Sequence, residues 1–157
     1  AKWLNHQYIS KTSTDELLAL IETQKALKDF SKEKHNKIID LLKNRLYTLR
    51  DIEKEGRFLI EPYPYDEKNI VKLKKNYPIK ILNKIIKLLE TDLELKDFKQ
   101  ELLSWASQNN IHVSTIMQSL RLGFVGRLTG PDVFEICTLL GKDVSLKRVR
   151  DLKKHLS

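Results

Sequence analysis

EPYPYDEKN, residues 61–69, is the stretch that most limits what this chain can become. Two prolines alternate with tyrosines there, so no helix can run through it, and each residue preceding a proline is pushed toward extended geometry. On either side the apolar residues recur three and four apart. Ile38, Ile39, Leu42, Leu46 and Leu49 do so before it, and Ile81, Leu82, Ile85, Ile86, Leu88, Leu89 and Leu93 after it. That spacing is one face of an α-helix. With only five glycines and four prolines in 157 residues, the expectation is an all-α protein of two consecutive helical subdomains, a bundle or cage of helices. Residues 1–12 form a junction, 13–66 the first subdomain and 67–157 the second.

Local signals mark the elements. Ser13 with Glu16 forms a capping box ahead of Leu17, Leu18, Leu20, Ile21 and Leu27. A second helix starts near Ser31. A shorter one spans residues 49–56, with residues 58–60 returning as an extended tail. Asp66 caps a helix carrying Ile70, Val71 and Leu73, and Pro78 suits the first turn of the next. Phe98, Leu102, Leu103 and Trp105 face inward from a helix over 96–109. The last third predicts helices at about 113–123, 131–140 and 144–156, with Pro131 in a first turn capped by Thr129 or Gly130 and Gly141 at a C-terminus.

The formal charge of +8 is unevenly spread: residues 67–157 hold 17 cations against 10 anions, residues 1–66 hold 12 against 11. The second half therefore carries the attraction for polyanions. Catalysis has little support. His6, His35, His112 and His155 share no metal-ligand spacing with one another or with Cys137, the only cysteine, which sits among Phe134, Ile136 and Leu140 as a core thiol. No glycine-rich phosphate loop occurs. Catalytic residues: none; metal ligands: none. The lone cysteine and the lack of a long apolar run point to a cytoplasmic protein with no membrane partner. AKWLNHQYI opens the chain without methionine and with unpartnered apolar residues, which suggests a fragment whose preceding domain has been removed.

Binding fits better. In SLRLGFVGRLTGPDVFEI, residues 119–136, Arg121 and Arg127 flank three glycines and a helix start. Free backbone N–H groups at such a start form an anion site, and arginine forks suit RNA bases and phosphates. Asp132 and Glu135 repel phosphate, which makes base edges the nearer target. Lys142, Lys147 and Arg148 begin a basic final helix and, with Arg127, are candidate phosphate contacts. An ordinary capped helix with solvated arginines fits the same spacing, and the tyrosines of YPY read as linker packing.

WLNHQYI at 3–9, LLKNRLYTLRDI at 41–52 and LRLGFVGRLTGPDVFEICTLLGK at 120–142 together resemble the C-terminal region of bacterial glutamyl-tRNA synthetases, collinearly over the whole chain. The resemblance implies a helical anticodon-binding region of a class I enzyme that joins glutamate to tRNA. The catalytic domain, with its ATP and Mg, lies outside this chain, and no cofactor is implied within it. Its partners are glutamate tRNA, glutamine tRNA in members that charge both, and its own catalytic domain, in a monomer. Arg45 matches an arginine that reads the third anticodon base and whose presence goes with rejection of glutamine tRNA. Arg121, Gly130, Pro131, Asp132, Val133 and Phe134 match residues lying against the anticodon bases, and the glycines then read as clearance for a base. The rival class is a helical protein-interaction or general RNA-binding module with a basic surface.

Overall fold

The computed structural model describes residues 32–42 and 56–157 of the chain, and all regular structure among them is helical. The chain divides into two compact units, Ala1–Glu61 and Pro62–Ser157. In the first unit, helix α1 spans Lys32–Leu42 and buries Ile38 and Ile39 completely. A 3-10 turn, Arg57–Leu59, buries Phe58 and Leu59. Residues 58–60 are thus not the extended tail that Gly56 suggested. Ile60 N and Glu61 N both donate to the Arg57 carbonyl, at 3.0 and 3.1 Å, and close the turn. The capping box at Ser13, the continuation to Leu49, and Arg45 lie outside the described residues.

The second unit holds α2 (Glu67–Lys74), α3 (Pro78–Glu90), α4 (Leu95–Gln108), α5 (Val113–Phe124) and α6 (Val133–Leu156). Helix α6 is the centre, packed on α5, α3 and α4, while α2 leans on α5. Asp66 caps α2 by accepting from Lys68 N at 3.0 Å. Ile70 and Leu73 are buried, but Val71 is 55% exposed, because an eight-residue helix at the rim offers only a narrow stripe to the core. Pro78 occupies the first turn of α3, and Ile81, Leu82, Ile85 and Leu89 face inward. Each such side chain contributes about 1.5–3 kcal/mol on burial, so this face outweighs half-exposed ion pairs such as Arg150 with Glu90.

Helix α6 is the expected pair of helices run together across a kink. Gly141 has φ 81° and ψ 167°, a break of one residue that kinks the helix, and the next segment starts at once rather than after a three-residue loop. Its second segment carries Arg148, only 5% exposed, whose Nη1 donates to the Phe124 carbonyl at 2.7 Å. This satisfies an acceptor that the end of α5 leaves without a helical partner. Burial takes Arg148 out of the basic surface on which sequence had placed it as a phosphate contact.

Candidate nucleic-acid interface

The site grows from the C-terminal end of α5. Its last turn is closed by Val125 N and Gly126 N, which donate to Arg121 O, and Gly126 N also reaches Leu122 O. The chain from Pro62 is then strapped across this end: Tyr63 N donates to the Val125 carbonyl at 2.8 Å. Residues 62–66 lie within the second compact unit. The strap passes so close that a Cβ on Gly126, at φ +89°, would lie 2.1 Å from the Tyr63 carbonyl oxygen. On the outer side, Arg127 lays its guanidinium over the Tyr63 ring, 3.8 Å from the centroid. Stacking of this kind leaves the edge of the fork available for hydrogen bonds.

Between this stack and the next helix runs a turn braced by Arg121. Its Nη1 donates to the Pro131 carbonyl at 2.7 Å. A Cβ on Gly130 would meet the same Nη1 at 3.2 Å. The glycines therefore clear space for the protein's own strap and its own arginine, and Gly123 faces Val149 and Leu152 in the core. The reading of these residues as clearance for a base is corrected on this point.

The helix start is also arranged differently from the sequence reading. Asp132 is the N-cap, accepting from Phe134 N at 2.9 Å and Glu135 N at 3.0 Å, so Pro131 stands one residue outside the helix. The carboxylate already occupies N–H groups of the helix start that would otherwise form an anion site. A second anion there would meet a like charge. Pro131 and Val133 have their side chains in the core, Val133 being 1% exposed. Asp132 and Arg127 are exposed, and Gly130, Arg121 and Phe134 half-buried. Phe134 packs edge-on against Phe98, with centroids 5.9 Å apart, and Lys99 Nζ stands 5.4 Å from its ring.

The structure thus brings together Arg121, Arg127, Gly130, Pro131, Asp132, Val133 and Phe134 around one turn. Lys142 is tied to the Thr91 carbonyl at 2.6 Å, and Lys147 pairs with Asp151 at 3.0 Å on an exposed face. Sequence missed Tyr63 and Lys99 as members of the surroundings. A tyrosine held extended by the following proline, paired with an arginine directly after a glycine, was the available signal for the first.

Comparison with known proteins follows the same line. The family described as anticodon binding domain matches residues 10–153. A glutamate–tRNA ligase of Porphyromonas gingivalis is 31% identical over 156 residues, covering 95% of this chain and 30% of that protein. One from Phocaeicola vulgatus is 32% identical over 157 residues, again 95% and 30%. The crystal structure of a glutamate tRNA ligase from Elizabethkingia meningosepticum, in complex with its amino acid, superposes with a TM-score of 0.85 at 28% identity, covering 98% of this chain and 31% of that one. The chain therefore spans about 30% of the length of the relatives it matches. An all-helical unit, a cationic second half and a match running through nearly every residue agree: the chain belongs to the anticodon binding domain family and is similar to part of the glutamate–tRNA ligases.

Proposed function

We propose that this chain reads the anticodon of glutamate tRNA as the C-terminal part of a cytoplasmic, monomeric glutamate–tRNA ligase. The observation that carries the reading is the Arg127–Tyr63 stack beside the turn that Arg121 braces, on the half of the chain with the cationic excess. Anticodon bases are unpaired, so their edges are open to an arginine fork and to backbone groups. Arg127 holds one such fork over the Tyr63 ring and exposed. Arg121 acts by fixing Pro131, which sets the path of residues 130–134, and Gly130, Asp132 and Phe134 are the parts of that turn within reach of a base. Pro131 and Val133 serve by keeping the turn rigid. Arg45, in the first subdomain, takes the third base. Lys142 and Lys147, both on α6, are the chain's phosphate contacts.

ATP, Mg and the joining of glutamate to tRNA belong to the catalytic part of the relatives' longer chains, and this chain supplies the choice of tRNA. Binding of glutamate tRNA, an unrelated tRNA and an RNA duplex at two salt concentrations tests the reading. Preference for glutamate tRNA that persists as salt rises supports it. Equal affinity for all three, falling in parallel with salt, overturns it in favour of a general polyanion surface.

A further inference from the structure

At the opposite end of α5 from this turn, an exposed ring stands between two concavities. Tyr77 is 86% exposed and sits at φ 50°, in the left-handed region, immediately before Pro78. A cleft of about 360 Å³ opens on one side, lined by Lys75, Asn76, Lys80, Asn110 and His112 among others. A second of about 310 Å³, lined by Lys74, Ile79 and Lys80, opens on the other. Tyr77 and Lys80 line both. Neither cleft has a carboxylate in its wall. Among the described residues Lys74 and Lys75 form no ion pair.

An exposed aromatic with usable space on two sides, rimmed by lysines and clear of acidic groups, has the composition of a single-stranded nucleic-acid platform. Bases stack on the ring while cations meet the phosphates beside it. The cationic, aromatic character continues along α3: Lys80 and Lys84 each stand 5.9 Å from the ring centre of Trp105. Lysines alone would suit an acidic protein surface as well; the 86% exposed ring beside them adds a stacking face, which favours an unpaired base.

We infer that Tyr77 and the lysines around it form a second RNA-binding surface, taking an unpaired nucleotide of a single strand by stacking, with Lys74, Lys75 and Lys80 on its phosphates. The inference rests on the reading of the chain as an RNA binder but concerns a different face from the anticodon turn. Tyr77→Asn removes the ring while keeping a residue that accepts left-handed geometry. Tyr77→Phe keeps it. The probes are a labelled ten-residue oligoriboadenylate and inorganic polyphosphate, with the glutamate anticodon stem-loop as a separate arm. Tyr77→Asn should weaken the oligoriboadenylate about tenfold and leave polyphosphate unchanged, and Tyr77→Phe should match the parent. The Lys74→Gln, Lys75→Gln double variant should weaken both probes. Equal oligoriboadenylate affinity of parent and Tyr77→Asn overturns the inference, as does an equal loss for polyphosphate. Retained RNA affinity together with lost association to the catalytic part of the ligase assigns the ring to a protein contact and also overturns it. If the stem-loop shows no preference while Tyr77→Asn still weakens the oligonucleotide, the anticodon reading fails and this one stands.

Discussion

Gly126 and Tyr63 meet backbone to backbone: a methyl group on Gly126 would lie 2.1 Å from the Tyr63 carbonyl oxygen. Gly126→Ala must therefore displace the strap, and it must also place a side chain at φ +89°. We expect a loss of about 2 kcal/mol or more. Urea denaturation checks it. The same variant should loosen the Arg127–Tyr63 stack and lower RNA affinity.

Arg148 and Lys147 are adjacent cations with opposite roles. Arg148→Ala strips the Phe124 carbonyl of its donor and vacates a buried volume, which should cost about 2–4 kcal/mol. Lys147→Ala removes an exposed pair with Asp151 and should change stability by less than about 0.5 kcal/mol. Denaturation midpoints of the two variants, which lose the same charge, separate the roles directly.

Asp132 caps α6 with its own carboxylate. Asp132→Ala should cost about 1 kcal/mol, while Asp132→Asn keeps most of the cap. If the carboxylate excludes phosphate from this helix start, Asp132→Asn should also tighten binding to a polyanion at low salt. Parallel measurements of melting temperature and polyphosphate affinity test both halves.

Burial raises the Cys137 thiol above its ordinary 9.0, against a smaller opposing effect of Ser145. Burial, then the Asp151 carboxylate, raises Tyr65 above 10.0, with Arg148 opposing. In both cases the folded state holds its proton longer than the unfolded chain. Stability is then fully present below pH about 8.5 and declines as pH climbs past the unfolded values. Urea midpoints at pH 7, 9 and 10 should fall in that order. Cys137→Val should flatten the first part of the decline, and native Cys137 should resist alkylation at neutral pH.

Much of the second unit was legible because its signals are local and strong. Asp66 as a cap, Pro78 in a first turn, Ile81, Leu82, Ile85 and Leu89 on α3 and Phe98 and Leu102 on α4 follow from spacing and capping rules, whereas Leu103 and Trp105, expected inward, are only half-buried and Ala106 takes the inward place. What escaped depended on partners distant in sequence. The cap at Asp132 is an exception: Glu135 three residues on gives it capping-box spacing, a local signal that the preference for Thr129 or Gly130 passed over, whereas the bond from Arg121 to the Pro131 carbonyl has no signal in the spacing. Arg148 reads as one more cation of a basic helix, and only the arrival of the Phe124 carbonyl, 24 residues upstream, makes it internal. The likeness to the ligases was legible for the opposite reason, since it runs along nearly the whole chain and needs no contact to be known.

Gly141 breaks α6 although no atom lies within 4 Å of where its side chain would be. Crowding is therefore not what demands glycine there; two backbone torsions do. An unbroken helix of 24 residues would act as a stiff rod, carrying any tilt at its first turn through to its last. With the joint at residue 141, the segment that opens beside the braced turn and the segment that plugs the end of α5 with Arg148 take separate directions, and Ser145 Oγ, donating to the Cys137 carbonyl at 3.4 Å, ties them across the bend.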